Sequence, residues 1–277
     1  MNIINKKYND LSNLSNKFMK SSPFPFIILD NFLDKKFFER IAFDKKKIDY
    51  SKGKFFQNDT EKNKWISKNT NLPKNIKKIV KELNSSKWTN NLKKLTKIKD
   101  LFSTKVGNSD LANYHEMSPQ GFLGSHVDHS TDPDTGRPHV LNIILYLSKN
   151  WKTEWGGSTI FLDPKGKSIK KKISYIPNRA VIFLHTPYSF HGVTKLKNNK
   201  VKRSTIYVDY YSKSKNPYIN INLPFEKKWF RHGTCFVLPK MSDYFKLNNF
   251  YYTKTMVKYK INQAVNDCKF FFKKKTL

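Results

Sequence analysis

Beyond Leu101 the sequence breaks into short apolar-rich runs separated by turn-forming clusters, and this punctuation constrains the fold more than any other feature. Eight strands are expected near residues 111–117, 122–128, 139–147, 157–162, 169–175, 179–185, 188–194 and 203–211. The gaps hold residues that interrupt a ladder, as in 130–138 (STDPDTGRP), 163–166 (DPKG) and 197–200 (KNNK). Many short strands punctuated in this way build a sandwich or a barrel. The last run alternates most clearly: Arg203, Thr205, Tyr207 and Asp209 share one face, while Ile206, Val208 and Tyr210 share the other. The polar face suits the lining of a cavity, and the apolar face needs cover.

That cover is available upstream. PFPFIILDNFL (23–33) reads as a short strand turning at Asp30–Asn31. Asp34 is placed to cap a short helix in which Phe37, Phe38, Ile41 and Ala42 recur at helical spacing. Between 72 and 101, Ile76, Ile79, Val80, Leu83, Leu92, Leu95 and Ile98 mark one or two amphipathic helices with Lys- and Asn-rich outer faces. The expected organisation is a polar, loosely docked tail (1–21), a supporting helical and strand region (22–110), a β-rich core (111–212) and a basic, aromatic extension (213–277). The fold class is therefore mainly β with flanking helices, a barrel backed by helices.

At 277 residues the chain can bury a full core without staples. Two cysteines, Cys235 and Cys268, imply no disulfide framework, and the N-terminus lacks the apolar stretch of a secretory signal, so a cytoplasmic location is expected. No run of 18 apolar residues suggests a membrane span. The formal charge of +32 invites a nucleic-acid partner, but only five of the 53 basic residues are arginines. Arginine is the residue suited to bidentate phosphate and base contacts. The lysines are spread through every segment among many Asn and Ile, the pattern of an AT-rich coding sequence, and nucleic acid is disfavoured as a partner.

The chemistry concentrates in a few residues. His126 and Asp128 are two apart, so on a strand they face the same way; His191 follows, then Arg203. Two imidazoles and one carboxylate take one face of an octahedron and leave three positions open, as non-haem iron oxygen chemistry requires. A structural zinc site would be closed by four ligands. His-x-Asp alone is common by chance, and of seven histidines most should be packed or surface residues; His129 should point away from Asp128 if the strand continues.

In order along the chain stand His126-Val-Asp128, a strand ending in a Tyr-Leu pair at 141–147 (LNIILYL), and Trp151 followed by Trp155-Gly156-Gly157. Then come Pro177-Asn178-Arg179 leading an apolar run, Ser189-Phe190-His191-Gly192, and Arg203-Ser204-Thr205. This series, spanning about 100 of the 277 residues, resembles the iron(II)- and 2-oxoglutarate-dependent oxygenases, in particular their prolyl-4-hydroxylase-like branch. The resemblance implies a double-stranded β-helix, a jelly-roll or cupin-like barrel. It implies Fe(II) held by His126, Asp128 and His191, with 2-oxoglutarate and dioxygen as co-substrates and ascorbate in support. Arg203 would grip the distal carboxylate of 2-oxoglutarate, with Thr205 on the same face adding a hydroxyl and Tyr114 standing near the co-substrate. The implied reaction hydroxylates a C–H bond and releases succinate and carbon dioxide. Asp128 favours hydroxylation over halogenation, for which a small residue would open the metal to halide. Asn142 lies beside the site, the Gly156-Gly157 pair serves a tight turn, and Arg179 is expected to be structural.

Three other functions compete, one of them a basic nucleic-acid-binding protein with a vestigial barrel, which salt-dependent DNA binding would reveal. A nucleic-acid demethylating relative resembles a pattern with a second arginine six residues after the first, where this chain has Asp209. A non-catalytic cupin-like binding module has no need of Arg203 and Thr205. The hydroxylated group, whether in a prolyl peptide, a free amino acid or a sugar-linked precursor, is left open. The connections 129–138 and 163–178 are expected to frame the entrance.

Overall fold

Strand alternation in the chain becomes two separate layers of packing in the computed structural model. The model describes residues 2–103, 113–132, 135–215, 217, 218, 233–237 and single positions between 257 and 265. Among the described residues twelve strands form one curled antiparallel sheet: β1 (Phe26–Leu29), β2 (Lys54–Phe56), β3 (Glu61–Ser67), β4 (Leu101–Ser103), β5 (Tyr114–Val127), β6 (His139–Tyr146), β7 (Thr159–Leu162), β8 (Ile169–Ile173), β9 (Ala180–Leu184), β10 (His191–Val193), β11 (Arg203–Ser212) and β12 (Cys235–Phe236). Their spatial order is β1-β9-β6-β11-β5-β10-β7-β8, with β4 beside β11, β3 and β12 beside β5, and β2 beside β3. This is the barrel-like arrangement that the strand pattern predicts, in the jelly-roll form that the resemblance implies.

Odd and even positions separate cleanly. In β6, Leu141, Ile143 and Leu145 join a large outer cluster, whereas Ile144 and Tyr146 join a second cluster inside the curl. In β9, Ala180, Ile182 and Leu184 face outward while Val181 and Phe183 face inward. The outer cluster is covered by α2 (Lys35–Lys45), α3 (Lys74–Leu83) and α4 (Ser86–Thr96). The Asp34 carboxylate accepts from the Phe37 N–H and starts α2, as the capping pattern predicts. The 72–101 stretch resolves into two helices because Ser85 caps α4 through the Trp88 N–H.

Three local expectations change. Residues 2–21 are not a loose tail: a short helix, α1 (Ser15–Met19), and two single turns hold Leu11 and Phe18 fully buried against α4. The clamp is Asn91, whose side chain accepts from the Leu11 N–H and donates to the Tyr8 carbonyl, both at 2.7 Å. Such a long-range anchor leaves no periodic trace in a polar segment. Truncation by Phe18→Ala is expected to destabilise the protein by about 3–5 kcal/mol, read from chemical denaturation midpoints; a change below about 1 kcal/mol would contradict a packed N-terminus.

The hairpin β2–β3 was not foreseen, because its polar run through Glu61–Lys64 carries little alternation. The two strands expected at 111–117 and 122–128 are one long strand, bent at Gln120, which has φ +63°. Asn178 explains the Pro-Asn-Arg stretch: its side chain bonds both the N–H and the carbonyl of Leu33, and Arg179 forms a two-point pair with Asp30. No helix among the described residues is long and apolar enough to cross a membrane. Apart from residues 213–215, 217, 218, 233–237 and the single positions after 256, the expected C-terminal extension lies outside the described residues.

Candidate active site

His126 and His191 meet because β5 and β10 pair with these two residues directly opposite each other. Opposed residues of an antiparallel pair share a face, and here that face lines the inside of the curl. A register shift next to this pair brings the backbones unusually close. A Cβ on Gly192 would lie 2.7 Å from the Leu123 carbonyl oxygen, so the residue after His191 must be glycine. Asp128 stands one residue past the end of β5 and swings its carboxylate between the two rings. Its Oδ1 is 3.4 Å from His126 Nε2, and its Oδ2 is 3.3 Å from His191 Nε2. One ligand atom from each of the three residues falls within 4.8 Å of the others.

The rings are pre-set to bind a cation. His126 Nδ1 faces the Gly124 carbonyl at 2.8 Å, and His191 Nδ1 faces the Ser189 carbonyl at 3.0 Å. A carbonyl accepts only, so the hydrogen belongs on Nδ1 and the Nε2 lone pair is left for a metal. Burial, with His191 alongside, pulls the His126 pKa down and favours the neutral ligand form. Burial opposes ionisation of Asp128, but the neighbouring imidazoles of His191 and His126 hold its pKa well below the usual carboxylate range. Two neutral imidazoles and one carboxylate fit a divalent cation such as iron(II).

Arg203, 4% exposed, opens β11 in the same cavity. Its Nε donates to the Gly157 carbonyl at 2.8 Å and its Nη2 to Thr159 Oγ1 at 3.3 Å. The guanidinium lies over Tyr146 and Tyr175, 5.3 and 5.2 Å from the ring centroids. Among the described residues no carboxylate is within ion-pairing distance of it. A buried cation with no acid beside it is suited to receive one from a ligand. The Gly156-Gly157 turn does more than reverse the chain: Gly157 has φ +69°, and a Cβ there would sit 3.1 Å from Arg203 Cδ. Gly157→Ala is expected to cost about 1–3 kcal/mol of backbone strain and to weaken binding of a ligand carboxylate, as read by thermal denaturation and equilibrium titration.

The cavity measures about 290 Å³. His126, Asp128, His191, Arg203 and Thr205 all line it. Tyr114 does not. The β5–β11 register sets Tyr114 opposite Ile206 and His115 opposite Thr205, so Tyr114 faces outward with the apolar side of β11. It is fully buried there, with its hydroxyl on Glu116, and His115 takes the inward place instead, stacked on Tyr207. His129 also departs from expectation: because β5 stops at Val127, the chain turns and His129 joins the cavity wall. The connection 163–178 contributes no lining residue among those described. Phe56, Glu61 and Lys64 of the β2–β3 hairpin, with Thr234 and Phe236, also line the cavity. Tyr207 was legible on the polar face of β11. Phe236, whose ring lies 5.2 Å from that of His126, was not, since nothing in its own neighbourhood signals pairing with β5.

Residues 110–209 match the family model of the 2OG-Fe(II) oxygenase superfamily. Among solved structures the chain is similar to a prolyl-4-hydroxylase from Pseudomonas putida, with TM-score 0.56 and 12% identity over 74% of this chain and 100% of that one. It is similar also to a Trichoplax adhaerens prolyl hydroxylase in complex with a hypoxia inducible factor oxygen degradation domain peptide fragment. There the TM-score is 0.52 and the identity 17%, covering 75% of this chain and 91% of that one. A 2OG-Fe(II) oxygenase family oxidoreductase from Burkholderia pseudomallei gives TM-score 0.50 and 14% identity over 75% and 92% of the two chains. At these identities the likeness is one of fold. A search of curated protein sequences returned no significant match.

Proposed function

Because the chain carries a domain of the 2OG-Fe(II) oxygenase superfamily, we propose that it is a dioxygenase that hydroxylates a C–H bond while converting 2-oxoglutarate to succinate and carbon dioxide. The observation that carries this reading is the convergence, in one cavity, of the three-ligand cluster with a buried, acid-free Arg203. His126, Asp128 and His191 would hold the iron. Arg203 would receive the distal carboxylate of 2-oxoglutarate, with the Thr205 hydroxyl on the same wall. Bound iron and 2-oxoglutarate supply the activation of dioxygen, and the protein contributes positioning and exclusion of water.

The chain's own residues do the remainder. Carbonyl contacts at Nδ1 orient both imidazoles, and Asn142 and Tyr207 donate to Asp128 Oδ2 at 3.0 and 2.8 Å. Phe56, Leu123 and Phe236 contribute apolar lining to the cavity. A prolyl peptide and a small free molecule both suit a cavity of this size, and the similarity to prolyl hydroxylases supports the first. Ascorbate would serve to keep iron reduced, and a cytoplasmic setting suits a chain with only two cysteines.

The second site position that would mark a demethylating relative is Asp209, which lies against two histidines and holds no guanidinium. This favours hydroxylation of a non-nucleic-acid substrate. The direct test supplies purified protein with Fe(II), ascorbate and 2-oxoglutarate and follows succinate. Slow uncoupled formation that requires iron and dioxygen is expected; none under any metal condition would contradict the enzyme reading.

A further inference from the structure

Asp128 is gripped from behind as well as facing the two imidazoles. The Asn142 amide that donates to it has two orientations, and only one presents an N–H to the carboxylate. Turned over, its carbonyl would face a carboxylate and repel it. His139 stands on the far side of Asn142. Its Nε2 is in hydrogen-bond contact with Asn142 Oδ1 and 3.3 Å from Asp209 Oδ1, and its Nδ1 is 2.8 Å from the His129 carbonyl. With Asp209 on one side and Asp128 at the other end, a single assignment satisfies the hydrogen bonds, the Nε2 hydrogen going to Asn142 and Asp209 Oδ1 facing the ring as a counter-charge. His139 carries hydrogen on both nitrogens, Asn142 accepts from it, and Asn142 donates to Asp128.

The surroundings agree with one charge at that place. His139 is stacked between His129 and His185, with ring centroids 4.8 and 4.0 Å away. Burial disfavours a charge on His139, but Asp209 outweighs it and leaves its pKa above that of free imidazole. Burial, and then the charge on His139, push His185 well down, so this stacked ring does not compete for the charge. His139 and Asn142 are fully buried and neither lines the cavity, so contact with substrate does not account for them.

We infer that Asp209, His139 and Asn142 act in series as positioning residues, fixing the orientation of Asp128 so that it meets a divalent metal already aimed. Tyr207 adds a second donor on the same oxygen, which leaves Oδ1 as the freer one. The inference rests on His126, Asp128 and His191 holding the metal, as proposed above.

The test titrates Co(II), as a spectroscopic stand-in for Fe(II), into the full-length protein and its variants, with melting of the metal-free forms recorded alongside. Asn142→Asp keeps the shape of the side chain but sets a carboxylate against a carboxylate, and His139→Gln removes the ring between Asp209 and Asn142. Each is expected to weaken Co(II) binding by about 10- to 100-fold, the usual effect of removing an outer partner of a metal ligand. The double variant should lose little more than the worse single one, because the two act in one line. Asp209→Asn, which preserves shape, should move affinity in the same direction and provides the reading if a buried variant misfolds. Affinities within twofold of wild type, or losses that simply add, would overturn the inference even if melting temperatures fall. A wild type that binds no Co(II), or His126→Ala that binds as well as wild type, would instead remove the metal site itself.

Discussion

His126→Ala is expected to eliminate both metal binding and 2-oxoglutarate turnover while leaving the fold intact. Loss of an outer-shell partner alone costs about 10- to 100-fold in affinity or activity, so loss of a ligand atom should exceed about 100-fold. The ring contributes little to the apolar core: it faces the cavity, against His191 and Phe236, and its one backbone bond is to Gly124. Circular dichroism should therefore be preserved. Asp128→Asn is the companion variant. It retains the side-chain volume but removes the charge that balances a divalent cation, and its amide would offer hydrogens where Asn142 and Tyr207 already offer theirs. The same loss of metal is expected, with some loss of stability from the opposed donors. Succinate formation and Co(II) titration check both variants. Normal turnover in His126→Ala would place the metal elsewhere.

Arg203→Met should act differently, raising the KM for 2-oxoglutarate much more than it lowers kcat. The guanidinium is buried, and burial pulls its pKa down, yet it remains charged near neutrality. Truncating one partner of a buried, hydrogen-bonded charge pair costs about 2–5 kcal/mol, or roughly 30- to several-thousand-fold in affinity. A KM effect with kcat largely retained is the mark of lost uniform binding. Arg203→Lys should recover only part of the affinity, because an ammonium cannot make the planar two-point contact and would also lose the Gly157 bond. Metal-free stability should change little or improve, since the methionine removes an unpaired buried charge. Steady-state kinetics across 2-oxoglutarate concentrations decide it; an unchanged KM in Arg203→Met would remove Arg203 from co-substrate binding.

Much of this site was legible in the chain because strand parity carries it. The two-residue spacing of His126 and Asp128, and the polar face Arg203-Thr205-Tyr207-Asp209, place side chains inside the curl whatever the finer topology. Parity also explains the errors. The resemblance puts Tyr114 near the co-substrate, but the bend at Gln120 and the pairing with Ile206 turn it outward. His129 was judged as if β5 continued, and it ends at Val127. The role of Asn142 is not legible locally, since it depends on Asp209, which meets it only through the pairing of β6 with β11, and on His139, three residues earlier on the same strand. The β2–β3 hairpin, Phe236 and the Asn91 clamp are long-range features with no local periodicity to announce them. The hairpin and Phe236 line the cavity, so part of what a ligand would meet comes from segments without local periodicity.

The most direct measurement of the central claim is equilibrium binding of 2-oxoglutarate to the wild-type protein, without dioxygen, in the presence and absence of Fe(II). One molecule per chain should bind with the metal present, more weakly without it, and more weakly still in Arg203→Met. Binding that is indifferent to metal, or absent with it, would contradict the assignment of this cavity to iron and 2-oxoglutarate.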